Sequence, residues 1–264
     1  MTILVPMAGA GVRFSREGYE LPKPLLPVSG LPMAVQATKA LPSAADMVFV
    51  CQRDHVDRFG LDRVLESHFP GCRVVVLDHM TQGQACTCLE AEAFVDSEAP
   101  LTIGACDNSM LWNRESFDRL RADPDTEAMI WTFRNNAAVS RNPRGYGWVR
   151  TDEHDNALGI SCKIPISDNP LQDHAIVGTF WFRKASLFFD AVKRQMAEGL
   201  STNGEYYVDV TMEVLIKAGV RVKVFEVDHY VCWGTPDDLR TYEYWESYFL
   251  KVLRDFRDHG ERAD

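Results

Sequence analysis

The sequence predicts an α/β fold with a mostly parallel sheet and helices on both of its faces. Three observations predict it. Short runs rich in branched apolar residues recur along the 264-residue chain, amphipathic helical patterns fall between several of them, and no low-complexity linker, repeat or abrupt change of composition interrupts the rhythm. In order, a strand at residues 3–7 leads through a glycine turn to a helical pattern starting at Met33. A strand at 47–51 precedes the pattern at His55, one at 73–77 the pattern at Gln84, and one at 101–104 the pattern at Asn113. Strands at 128–133, 147–150 and 176–182 come before the pattern at Lys184, and a last helix from Asp209 leads to a strand at 220–227.

At 46% hydrophobic and 25% charged residues, a chain of this length can bury a sizeable core. It reads as one domain through residue 236, followed by a helix over 237–264. In that helix Leu239, Tyr242, Trp245, Phe249, Leu253 and Phe256 fall at helical spacing and form one stripe. Packing on the domain as core is the first reading of the stripe, a homodimer contact the second, with a frayed, solvated end from about Asp258.

A formal net charge of -10 argues against a general nucleic-acid binder, which needs a clustered basic surface. No apolar stretch approaches the ~20 residues of a membrane span, and the start lacks the basic region and cleavage site of a signal peptide, so no membrane partner is expected and the expected address is cytoplasmic. The seven cysteines lack the paired two-residue gaps of zinc sites, Cys86 and Cys88 being separated by one residue only. They read as reduced, mostly buried thiols, and the seven histidines as surface or core residues.

The opening "MTILVPMAGAGVRFSREGYELPKPLLPV" places Ala8, Gly9, Ala10 and Gly11 immediately after the first strand. Glycine admits backbone conformations closed to other residues and lets a ligand approach the main chain, so a row of amide N–H groups can face an anion. Arg13 adds a forked cation beside the turn, and Lys23 follows between two prolines that stiffen its approach. Both charges can reach one polyphosphate. The pattern is neither a dinucleotide fingerprint, which would want glycine where Phe14 stands, nor a P-loop. On the glycine pair alone, an ordinary strand-to-helix turn is the competing reading.

Taken together, the glycine pair, Arg13, "PKPLLPV" and "GLPM" resemble the opening signature of the sugar-nucleotidyltransferase family. Further segments are similar to family segments in the same order: "TQGQACTCLEA", "IGACDNSMLW", "NPRGYGWV", "SCKIPIS", "AIVGTFWF", "NGEYYVDV" and "WGTPDDL". The resemblance implies a Rossmann-like three-layer α/β/α fold with a mixed, mostly parallel sheet. It also implies that a nucleoside triphosphate is joined to a phosphorylated small-molecule acceptor with release of pyrophosphate. By the same resemblance Arg13 and Lys23 would be catalytic. Ala8, Gly9, Ala10, Gly11, Gln82, Gly83 and Asp107 would bind the nucleotide, with Asp107 holding magnesium. Tyr146, Gly147, Lys163, Gly178, Glu205 and Trp233 would line the acceptor pocket.

One position departs from the family: Cys232 stands where an aspartate often serves as a second magnesium ligand. A soft thiol is a poor ligand for a cation that prefers hard oxygens. Asp228 is the nearby residue weighed as its replacement, and Trp233 is expected to narrow the pocket or stack on a substrate. Against these roles, Arg13, Lys23 and Lys163 can also be read as solvated charges and Asp107 as a helix N-cap.

The chemistry needs no protein nucleophile. Both partners are anionic, so positioning and neutralisation of developing charge can supply the catalysis. The readings that follow are transfer from a pyrimidine triphosphate, CTP or dTTP/UTP, to a sugar 1-phosphate for surface polysaccharide or capsule, or cytidylyl transfer to a non-sugar phosphate of phospho-amino-acid or phosphoramide type. "PMAGAGVRF" and "CWGTP" resemble the capsule-associated branch. A glycosyltransferase of related fold would want an Asp-x-Asp pattern where this chain has "CDNS". A silent regulatory relative has only Cys232 in its favour.

Overall fold

Each of the eight apolar runs becomes a strand. The computed structural model describes residues 1–260, with side chains through residue 256. The strands are β1 (Thr2–Met7), β2 (Pro27–Val28), β3 (Leu31–Pro32), β4 (Asp46–Gln52), β5 (Arg73–Leu77), β6 (Leu101–Ile103), β7 (Asn108–Leu111), β8 (Ala128–Phe133), β9 (Gly147–Thr151), β10 (Ala157–Cys162), β11 (His174–Phe182), β12 (Val222–Glu226) and β13 (His229–Cys232). The helices are α1 (Val12–Arg16), α2 (Met33–Lys39), α3 (Arg53–Phe59), α4 (Leu61–His68), α5 (Gln84–Leu89), α6 (Arg114–Ala122), α7 (Ala138–Arg141), α8 (Ala185–Ala197), α9 (Val208–Lys217) and α10 (Pro236–Gly260).

Strands β5, β4, β1 and β6 lie side by side and parallel, with Leu4 level with both Val48 and Ile103. Strand β11 enters antiparallel between β6 and β8, Phe180 pairing with Ile103 on one side and Ile130 on the other, and β12 continues parallel to β8. The β9–β10 hairpin joins the first residues of β11, at His174 and Ala175. The sheet is therefore mixed and mostly parallel, as expected. Alternating side chains send Leu4, Val48 and Ile103 into one core with α5, α8 and α9, and Ile3, Phe49 and Trp131 into the other with α4 and α6.

Several elements were absent from the sequence reading. Strands β7 and β13 form their own two-stranded ladder, Asn108 opposite Cys232, and each is only four residues long, too short for a periodic signal. The helix expected from His55 is two helices, because Gly60 takes a left-handed backbone (φ 64°) that ends α3 and begins α4. Asn113 caps α6 by accepting from the Ser116 amide at 2.9 Å. All seven cysteines are free thiols. Among the described residues no helix is long and apolar enough to cross a membrane.

A third, smaller core joins Phe14, Leu26, Val28, Met33, Trp233 and Leu239, and so welds α1 and the start of α10 to the β2–β3 hairpin. Packing on the domain, expected for the whole α10 stripe, stops there. Leu239 is buried, but Trp245, Phe249, Leu253 and Phe256 are 50%, 56%, 55% and 72% exposed; the helix is tied to the domain as far as Glu246, which accepts from the Ser29 hydroxyl. The backbone is helical to Gly260, and residues 261–264 of the expected frayed end lie outside the described residues.

Two stability predictions arise here. Trp131 is fully buried between Trp112, Phe117 and Phe225, with ring centroids at 5.1, 5.3 and 4.7 Å. Trp131→Ala is expected to cost about 3–5 kcal/mol in urea unfolding. His174 is buried, its Nδ1 sharing a 2.9 Å hydrogen bond with Thr132, and burial, with the Arg134 cation adding, lowers its pKa. A lowered folded-state pKa means the unfolded chain binds the proton first, so stability present above pH ~6.5 falls as the pH drops through the folded pKa. The melting temperature should fall on acidification below that pH, and less steeply in His174→Gln.

Candidate active site

A cleft of about 770 Å³ opens beyond the carboxyl end of β6, where Ala105 and Asp107 line it, while the Ala8–Gly11 turn after β1 stands outside its lining. Ligands of parallel α/β sheets bind at this edge, because the loops there are free of the sheet's own pairing. Arg13, Lys23, Asp107, Tyr146, Gly147, Lys163 and Gly178 all line it, so residues spread over 165 positions of sequence converge as the sequence reading required.

Strand β1 ends at Met7, and Gln52 at the end of β4 donates to the Ala8 carbonyl at 2.7 Å and to the His79 carbonyl at 3.1 Å, tying two loops together. Gly9 and Ala10 are exposed, and among the described residues the amides of Gly9, Ala10 and Gly11 meet no acceptor. Gly11 turns the chain into α1 with φ 61°; a Cβ there would stand 3.3 Å from the Lys23 Cβ. The turn therefore abuts Lys23, and Arg13 projects from the helix that follows.

Lys23 opens a short 3-10 turn over Lys23–Leu25, with Pro22 extended before it. Its Nζ pairs with the Asp107 carboxylate. Burial alone would pull the Lys23 pKa down, but the Asp107 charge and hydrogen bond outweigh it, and the value stands above that of an ordinary lysine. The ammonium persists across the physiological range. Asp107 is not a helix cap: it precedes β7, and its carbonyl accepts the Trp233 amide at 2.8 Å.

Gly178 sits in a bulge where β11 loses register with β8, at φ 95°. Asn108 pins the bulge by donating to the Val177 carbonyl at 2.9 Å, and a Cβ on Gly178 would touch Ala105 at 3.4 Å. Lys163 holds a left-handed backbone (φ 64°); its amide donates to the Tyr146 carbonyl at 3.1 Å, its Nζ donates to the Gly145 carbonyl, and its charge lies 5.3 Å from the Tyr207 ring centre. Lys163 is thus held in place within the cleft rather than loose in solvent.

Four expectations meet a different geometry. Trp233 does not narrow the cleft: Cys232 faces it, extended side chains alternate, and the Trp233 ring is buried in the third core, edge-on to Tyr242. Asp228 does not approach Asp107, because it lies at the far end of the β7–β13 ladder, its amide donating to the Leu111 carbonyl. Glu205 is exposed outside the lining; burial, with the Glu205 carboxylate adding, pushes the Tyr207 phenol up. Gln82 is exposed as well, and Gln84 is the glutamine that reaches the lining. Gly83 allows the loop to touch the Tyr206 backbone, with Tyr206 N–H donating to the Gln82 carbonyl at 2.7 Å.

Other lining residues escaped the sequence reading: Asp209, Arg141, Asn142, Tyr230 and the Thr235–Asp238 start of α10. Asp209 is the most informative. It is buried beneath Gly147, where a Cβ would stand 2.1 Å from its Oδ2, and burial raises its pKa against the opposing pull of Lys163.

Burial, with Asp107 and Asp238 adding, pushes the Cys232 thiol up to about 12, and a soft sulfur is in any case a poor partner for magnesium. The nearest further carboxylate is Asp238, which accepts from the Thr235 hydroxyl at 2.6 Å and from Cys232 at 3.6 Å. Among the described residues no group of three His, Cys, Asp or Glu could close around a metal. Magnesium is commonly held by one or two carboxylates plus substrate phosphates, and Asp107 in an open cleft fits that pattern.

No family model matches the chain. It is 26% identical over 262 residues to the bifunctional protein GlmU of Pelotomaculum thermopropionicum, covering 98% of this chain and 54% of that one, so it spans about half the length of this curated relative. The fold is similar to that of a nucleoside-diphosphate-sugar pyrophosphorylase from Vibrio cholerae (TM-score 0.74, 18% identity, 91% of this chain and 98% of that one). It is also similar to an inositol-1-phosphate CTP transferase from T. maritima (0.70, 18%, 92% and 93%) and to a UDP-glucose pyrophosphorylase solved with UDP-glucose (0.71, 17%, 95% and 98%). The chain therefore has the Rossmann-like α/β fold of nucleotidyltransferases.

Proposed function

We propose that this chain is a nucleotidyltransferase that joins a nucleoside triphosphate to a phosphorylated small-molecule acceptor and releases pyrophosphate. One observation carries the reading: at the carboxyl edge of the sheet, Arg13, Lys23 and Lys163 converge in a protein of net charge -10, next to backbone amides without acceptors and opposite Asp107. Cations gathered in one cleft of an acidic protein focus attraction on an anionic ligand.

In the proposed mechanism the Gly9–Gly11 amides cradle the triphosphate. Lys163, held by Gly145 and Tyr146, orients the acceptor phosphate, one of whose oxygens attacks the α-phosphorus. The bond from that phosphorus to the bridging oxygen breaks, and Arg13 and Lys23 receive the charge that builds on the departing pyrophosphate. Magnesium, if it enters with the triphosphate, would be held by Asp107 and would neutralise phosphate charge. Asp209 and Tyr146, at the inner end of the cleft, would fix the body of the acceptor.

The base is taken as a pyrimidine and the acceptor as a sugar 1-phosphate, for surface polysaccharide or capsule; the names of the CTP transferase and the UDP-glucose enzyme support the first. Trp233, whose ring is buried, contributes nothing to the choice between a sugar and a non-sugar acceptor. The test is thermal shift with each of the four triphosphates and magnesium. Stabilisation by one or two pyrimidine triphosphates, lost in Lys23→Ala, is expected; stabilisation by a guanine nucleotide alone would sink the pyrimidine assignment.

A further inference from the structure

We propose that the distal half of α10 is a homodimer interface in which two copies of the helix pack antiparallel. The helix runs 25 residues, about 37 Å, and only its first turns touch the domain. That end is firmly held. Leu239 is buried in the third core, the Arg240 guanidinium bridges Glu17 at 2.6 Å, and Ser29 donates to Glu246 at 2.5 Å while sharing a 2.5 Å bond with the Tyr242 hydroxyl. Beyond it Tyr244, Trp245, Tyr248, Phe249, Leu253 and Phe256 are each about half exposed or more. An aromatic surface anchored at one end and bare along the rest is not a loose tail; it is presented.

Area and charge both favour a second copy as the occupant. Six such side chains offer roughly 100 Å² each, so roughly 600 Å² per protomer before flanking residues are added, against about 800 Å² per partner in a standard interface. That stands at the top of the roughly 300–600 Å² range of the largest apolar patch on a typical monomer. A lipid surface is disfavoured: residues 236–256 carry five carboxylates against three basic side chains, in a chain of net charge -10, where an interfacial helix would want an excess of lysine and arginine.

With a twofold axis between Tyr248 and Phe249, an antiparallel pair sets Tyr248 level with Phe249 of the other copy and Trp245 level with Val252, each pairing occurring twice. Aromatic contacts thus form the centre of the pair, while Glu243 and Arg254, two residues from Trp245 and Phe256, lie on the opposite face of the helix.

Sedimentation equilibrium of the chain tests this. The wild type is expected to be a dimer at micromolar concentration and Phe249→Glu a monomer with an unchanged circular dichroism spectrum. Trp245→Glu should do the same, whereas Arg254→Glu, on the opposite face of the helix, should leave the dimer intact. A wild type that stays monomeric at 100-fold higher concentration, including one that instead binds phosphatidylcholine vesicles, overturns the proposal. So does a dimer that survives Phe249→Glu.

Discussion

Lys23→Ala is expected to lower pyrophosphate-releasing turnover by about 10²–10³-fold while leaving the melting temperature nearly unchanged. The lysine is the cation most tightly built into the cleft: it abuts Gly11, pairs with Asp107, and lies 5.8 Å from the Phe14 ring centre. Its removal takes away positive charge at the position where charge on the leaving group would develop. The fold should tolerate the change because Asp107 is half-exposed and its carboxylate regains water. Lys23→Arg should recover part of the activity, since charge is restored without the reach of the ammonium. Steady-state kinetics with a parallel melting curve separate the two effects. Loss of folding in place of turnover would make the lysine a structural residue.

Gly83→Ala should be among the most destabilising single substitutions in the chain, costing about 3 kcal/mol or more. A Cβ at Gly83 would stand 2.6 Å from the Tyr206 nitrogen and 2.7 Å from its carbonyl oxygen, and φ at this position is 115°. Neither neighbour is a side chain that can swing away. The two strands of loop are stitched there by Tyr206 N–H to the Gln82 carbonyl and by Ala85 N–H to the Tyr206 carbonyl, so displacement opens the start of α5 and moves Gln84 and Tyr207 at the cleft. Gly204→Ala is the control: it shares a positive φ of 79° but meets open space, so only backbone strain of about 1 kcal/mol is expected. Urea denaturation of the pair distinguishes close contact from strain.

What the sequence revealed and what it hid have a common physical basis. Eight of the nine strands of the main sheet were legible because each is a run that the core must bury, and burial is written in side-chain type; β10, with Leu158 exposed and a glycine at its third position, was not. Asp107 and Gly178 entered only through the family resemblance of "IGACDNSMLW" and "AIVGTFWF", whereas Arg13 and Lys23 were legible as charges beside a glycine turn at the end of such a run. Asp209 was not: one carboxylate at the start of a helix looks like ordinary first-turn chemistry until the glycine of a distant strand is seen lying on it. Trp233 was misread because its neighbours carry the motif, whereas the alternation of an extended chain turns it away from them. The α10 stripe shows the same limit, since helical spacing identifies an apolar face and says nothing about what covers it.

Pyrophosphate release is the direct test of the central claim. The enzyme would be given magnesium and each nucleoside triphosphate, with and without a panel of sugar 1-phosphates and phospho-amino-acid-type acceptors, and the products weighed by mass spectrometry. The expected result is release that requires one pyrimidine triphosphate and one acceptor together, with a product whose mass is that of the acceptor plus a nucleoside monophosphate. Silence across every combination, or consumption of a ready-made nucleotide sugar without pyrophosphate, would contradict it.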